Sequence, residues 1–172
     1  MQDPGCAEWV KRAQWISALT GGILSLIHPE QYLVGRTALL RLAEQPGLSK
    51  DPVAMARILE DWTSPFNGLS VIVNWATPVH RDVQGRDSWL DMLVTHGPYS
   101  DCQMEFQSLG IRIAYSSGTI VGLCGKVVPH AASHCVGERA CIAYYMRDNV
   151  HARLGVPASS WMDVRQSLVT IG

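Results

Sequence analysis

The sequence predicts an α+β chain, with helices over about residues 1–65, an antiparallel β core over about 66–155 and a short C-terminal segment over 156–172. Three observations carry this expectation. Apolar residues recur with helical spacing as far as Ser64-Pro65. From Leu69 the period changes to short β-prone runs separated by Gly, Pro, Ser and Asp. No helix-length crossover separates those runs, as parallel βαβ units would require, so a sandwich, a barrel or a jelly roll is expected.

The elements follow in order. Trp9, Ala13 and Ile16 share one helical face, and a second apolar pattern runs from Tyr32 through Leu42. The third helix has the clearest start: Asp51 can accept hydrogen bonds from first-turn amides, Pro52 suits the first helical position, and Met55, Ile58, Leu59 and Trp62 form one stripe. The strands are expected in LSVIVNW, WLDMLVTH, GIRIAY, TIVGLCG and RACIAYYM, with the helices bracing an outer face of the sheet. A last short helix is expected around Trp161 to Leu168. At 172 residues, 47% of them apolar, the chain is expected to be one domain around one substantial core.

Charge and cysteine usage narrow the function classes. The formal charge of −1 supplies no global pull toward nucleic acid, so any such contact needs a local basic surface. The five cysteines form an odd set without a CxxC pair, which suits a reducing compartment. No run approaches the roughly 18 apolar residues of a membrane span, and Asp3, Glu8, Lys11 and Arg12 do not match a secretory signal. A soluble, intracellular, monomeric protein with no obligate protein partner is the expectation.

The chemistry concentrates in two stretches. In TPVHRDVQG, one residue separates His80 from Asp82, so an extended backbone points both side chains the same way. A second imidazole from a distant strand would complete the facial triad that suits non-haem Fe(II) and leaves open positions. HxD alone is common, and a solvated turn also explains it. Downstream, however, His130 opens a β-prone hairpin whose returning strand carries Arg139 nine positions later. His134 is the rival third ligand, lying nearer the turn-like Val136-Gly137. On the returning strand Arg139, Cys141, Ala143 and Tyr145 share a face, and a guanidinium there suits a bidentate grip on the distal carboxylate of 2-oxoglutarate. Pairing of Arg139 with Glu138 is the structural alternative. A zinc site at His134-Cys135 lacks a second ligand pair.

The stretches VIVNWATPVHRD, WLDMLVTHGPY, YSSGTIVGLCGKVVPH and GERACIAYYMRDNVHARLG resemble the fungal branch of the TET/JBP dioxygenases, over roughly Trp62 to Gly155. The NxxTPxHRD stretch and the YYMRDNVH ending point to that branch. The resemblance implies a double-stranded β-helix, with Fe(II) on His80, Asp82 and His130 as catalytic ligands and 2-oxoglutarate on Arg139. It also gives Asn74 a part in holding 2-oxoglutarate; a strand-end residue satisfying a turn is the alternative. Two departures bear on the pocket: Trp75 stands where Arg is expected, and Ala131-Ala132 where Gly-Val is expected.

The implied substrate is methylated DNA, most directly 5-methylcytosine oxidised to 5-hydroxymethylcytosine and beyond, in a demethylation role that places the protein in the nucleus. Reaching such a methyl group requires flipping the base into the pocket. Asp91 is then the leading base reader, since a carboxylate accepts from an exocyclic amine. Tyr145 and Trp75 are candidates for stacking, and Arg81, Arg86, Arg147 and Arg153 for phosphate contacts. N6-methyladenine, a small-molecule or protein substrate, and a catalytically silent binding module are the rival readings.

Overall fold

The computed structural model describes residues 4–163, and the chain divides into two compact units. Residues 68–147 hold every strand among the described residues; the chain before them and from Asp148 onward forms a helical unit. No helix among the described residues is long and apolar enough to cross a membrane.

In the helical unit, α1 (Pro4–Arg12) and α2 (Gln14–Ile27) are separated by Ala13, and α3 (Pro29–Glu44) and α4 (Pro52–Asp61) follow. The caps explain the starts. The Gln31 amide donates to His28 Nδ1 ahead of Pro29, and the Ala54 amide donates to Asp51 Oδ1 at 3.0 Å ahead of Pro52. In α3, Gln31, Gly35, Ala38, Leu39 and Leu42 are buried at three- and four-residue spacing. Met55, Ile58 and Leu59 of α4 make the expected stripe but are only half-buried.

Where the β core was expected to continue to 155, Asp148–Leu154 instead forms α5 within the helical unit. An acidic first turn (Asp148) and a basic last turn (His151, Arg153) suit the helix dipole there. Leu154 and Val156 pack with Ala38 and Leu42, and Arg41 Nη1 donates to the carbonyls of Leu154 and Gly155 at 2.8 and 2.7 Å. Of the helix expected around Trp161 to Leu168, residues 161–163 are not helical and 164–168 lie outside the described residues.

The β unit is two four-stranded antiparallel sheets and a two-stranded ribbon. The first sheet has the order β1 (Gly68–Val73), β10 (Ala140–Tyr145), β3 (Asp91–His96), β7 (Ile120–Leu123). The second has the order β2 (Thr77–His80), β8 (His130–Ala132), β5 (Gln103–Phe106), β6 (Ile111–Ala114). The ribbon joins β4 (Tyr99–Ser100) to β9 (Val136–Gly137). The chain crosses repeatedly between the two sheets, with β5 and β6 forming a hairpin within the second, in a double-stranded β-helix, and Leu93, Met104, Phe106, Tyr115, Leu123 and Cys141 lie in its core.

This topology corrects one expectation. His130 and Arg139 do not lie on one hairpin: β8 pairs with β2 and β5, whereas β10 pairs with β1 and β3. Between them the chain switches sheets through β9, so the histidine and the arginine approach the core from opposite sheets.

Candidate metal centre

His80 ends β2 and His130 begins β8, and the antiparallel register sets them directly opposite each other. Their rings lie 4.4 Å apart between centroids, tilted by 50°. Asp82 follows two residues after His80, with its amide donating to the Gly125 carbonyl at 3.0 Å. One carboxylate oxygen lies 3.9 Å from His80 Nε2, and the other lies 3.6 Å from His130 Nε2. Ligand atoms of all three residues fall within 4.8 Å of one another, close enough to share an ion.

The same local device orients both imidazoles. His80 Nδ1 lies 2.8 Å from the carbonyl of Pro78, and His130 Nδ1 lies 3.0 Å from that of Val128. A carbonyl only accepts, so each Nδ1 carries the proton and each Nε2 presents a lone pair toward Asp82. Two imidazoles that each turn Nε2 toward the same carboxylate fit a 2-His-1-carboxylate iron site. His134, the rival ligand, is exposed and turned to the Cys135 carbonyl.

His80, Asp82 and His130 line a cavity of about 80 Å³ that continues to Arg139, Tyr115 and Cys141. Arg139 is 2% exposed. Its Nη2 donates to the Trp75 carbonyl, its guanidinium lies 5.7 Å from the Tyr115 ring centre, and its buried Nε has no partner. No carboxylate pairs with it among the described residues, and Glu138 instead accepts from Asn74 Nδ2. A buried cation costs several kcal/mol unless compensated, so the orphaned guanidinium at this wall is suited to an anionic ligand.

Asn74 is exposed, lies outside the cavity lining, and has a left-handed backbone (φ +52). Its Oδ1 accepts from the Arg139 amide at 2.7 Å, and its amide donates to the Arg139 carbonyl at 2.8 Å. It therefore locks the backbone that carries Arg139, which is the strand-end alternative stated above.

A second cavity, of about 150 Å³, adjoins the first and shares Ile72, Asp82, Leu93 and Ala143 with it. The three residues expected to bind substrate meet here: Asp91, Tyr145 and Arg147. Asp91, at the start of β3, is 8% exposed; burial pushes its carboxyl up to about 7, with the Asp82 charge adding to this and Arg147 opposing. Arg147 lies 4.2 Å over the Tyr145 ring, covering a face that a stacked base would need, and the Tyr145 hydroxyl meets Ser70 Oγ at 3.1 Å. Trp75 is 62% exposed and lines neither cavity, while Arg81, Arg86 and Arg153 are surface residues.

Sequence reasoning passed over Tyr115, Thr77 and Met104, which also line the metal cavity. Tyr115 is fully buried, its hydroxyl against Cys141 Sγ at 3.4 Å and pushed far above the ordinary tyrosine range by burial. Its position at the end of the GIRIAY run was the available signal. Thr77 Oγ1 accepts from the Ala132 amide at 3.0 Å and so ties β2 to β8 beside the two histidines.

The model of the Tet_JBP family, the oxygenase domain of the 2OGFeDO superfamily, matches residues 6–148. The match takes in the N-terminal helices and ends at the first residue of α5, a wider span at the start than the motifs alone suggest. No curated protein matches the chain. A double-stranded β-helix bearing a ready donor set and an unpaired buried arginine agrees with that match, and we conclude that the chain belongs to the Tet_JBP family as an Fe(II)- and 2-oxoglutarate-dependent dioxygenase.

Proposed function

We propose that the protein oxidises the methyl group of a methylated base in DNA, with 5-methylcytosine the primary substrate. The observation that carries this reading is the cavity beside Asp82, whose wall holds the buried Asp91 carboxyl together with Tyr145 and Arg147. A carboxyl oxygen there can accept a hydrogen bond from a donor on the ligand. The exocyclic amine of a flipped cytosine supplies that donor, and its edge position brings the neighbouring methyl group toward the metal.

In this reading His80, Asp82 and His130 hold iron through two Nε2 atoms and a carboxylate. Iron held there would supply, with 2-oxoglutarate and oxygen as co-reactants, the oxidising power for hydroxylating the methyl group, with succinate and carbon dioxide as the co-products. Arg139 grips the distal carboxylate of the cosubstrate, and Asn74 holds Arg139 in register. Asp91 reads the base. Arg147, stacked on Tyr145, presents a cation at the cavity wall for a phosphate or a base edge. A DNA substrate implies action in the nucleus.

The test is turnover with Fe(II), ascorbate, 2-oxoglutarate and duplexes carrying one defined methylated base each, with nucleosides analysed by mass spectrometry. Conversion of 5-methylcytosine is expected. Conversion of N6-methyladenine alone would reassign the base, and uncoupled succinate on every duplex would remove DNA as the substrate.

A further inference from the structure

The turn between β7 and β8 touches two of the three candidate ligands. The Gly125 carbonyl accepts from the Asp82 amide at 3.0 Å, and the Val128 carbonyl orients His130 through Nδ1 at 3.0 Å. The turn is itself closed by the amides of Val127 and Val128 donating to the Cys124 carbonyl at 3.0 and 2.9 Å. At its closest approach stands Gly125, buried, where a Cβ would lie 2.6 Å from Asp82 Oδ2, 2.7 Å from Asp91 Oδ2 and 3.2 Å from Asp82 Cβ.

We propose that Gly125 is a positioning residue of the metal site: it lets the turn close onto the Asp82 carboxylate, setting that carboxylate's orientation toward the two imidazoles and its separation from Asp91. The requirement is for space. The Gly125 backbone lies outside the left-handed region, so alanine fits its dihedrals, and only the methyl group collides. Both oxygens it meets belong to short side chains, Asp91 at the start of β3 and Asp82 two residues past the end of β2, which have less reach over which to retreat than the end of a lysine. The turn thus links the metal cavity to the neighbouring one, because the same Cα bears on one carboxylate from each.

This inference rests on the assignment of Asp82 as a metal ligand, and the experiment separates the two. Cobalt(II) serves as the probe for the full chain, with affinity from calorimetry and coordination geometry from the visible d–d bands. Wild type is expected to bind cobalt. Gly125→Ala is expected to weaken binding by about tenfold to a hundredfold, the usual effect of disturbing a residue that orients a ligand, and to change the d–d bands. Lys126→Ala, an exposed neighbour in the same turn, should leave both unchanged. The double variant Gly125→Ala/Asp91→Ala makes room for Asp82 to shift, so the alanine at 125 should cost less than it does alone. Absence of wild-type binding overturns the ligand assignment and the inference with it. Wild-type binding with an unaltered Gly125→Ala spectrum and affinity overturns the inference alone. If Gly125→Ala does not fold, recovery of folding and cobalt binding in the double variant supports the inference, and failure of the double variant overturns it.

Discussion

The two adjoining cavities of the β unit hold their polar groups in opposite ways. In the metal cavity each imidazole is tied to the carbonyl two residues before it, and the Asp82 amide is tied to Gly125. In the neighbouring cavity the buried Asp91 carboxyl stands beside Asp82 and Arg147, and Arg147 rests on the Tyr145 ring. The first is preorganised for an ion that must be met by a fixed donor geometry. The second is walled by side chains, a carboxyl, a guanidinium and a phenol ring, and side chains of that kind are what a site uses to select among ligands.

The sharpest way to break this comparison is Asp82→Ala. It removes the carboxylate that both cavities share, and succinate formation should fall at least about a thousandfold on any substrate, with loss of metal binding by calorimetry. Arg139→Leu acts on one wall only. It should raise the KM for 2-oxoglutarate by about a hundredfold while cobalt binding persists, since the loss is that of a buried charged hydrogen-bond partner.

Asp91→Asn separates the cavities. Oxidation of the methylated base should drop by about tenfold to a hundredfold, whereas substrate-independent succinate release continues. Equal loss of both would move Asp91 into the metal machinery. The smallest effect is expected for Asn74→Ala, which removes the acceptor for the Arg139 amide and places alanine in a left-handed backbone. It should lower stability by about 1–3 kcal/mol in urea denaturation, with Asn74→Gly milder because glycine tolerates that backbone.

Local signals were legible where they were strong. β1, β3, β6, β7 and β10 match the five expected runs within a residue or two, because each run is rich in the β-branched and aromatic residues that strands favour. β2 and β8 were harder to read. β2 contains Pro78, which ordinarily argues against a strand and is tolerated because β2 lies at the sheet edge. β8 is His130-Ala131-Ala132, three residues with little β preference of their own. Yet these two strands carry the histidines, so the weakest strand signals border the strongest functional motif.

The sequence alone determined the Asp51 cap, the change of period at Leu69, and the HxD pair with its distant His and Arg. Each of these depends on neighbours within a few positions or on chemistry intrinsic to a side chain. Only the tertiary structure decided that His130, the histidine the sequence favoured over His134, pairs directly opposite His80, that Arg139 arrives from the opposite sheet without a carboxylate partner, and that Gly125 stands against both Asp82 and Asp91. Those are matters of register between strands far apart in the chain, and register is set by the burial of a whole sheet face rather than by any one segment.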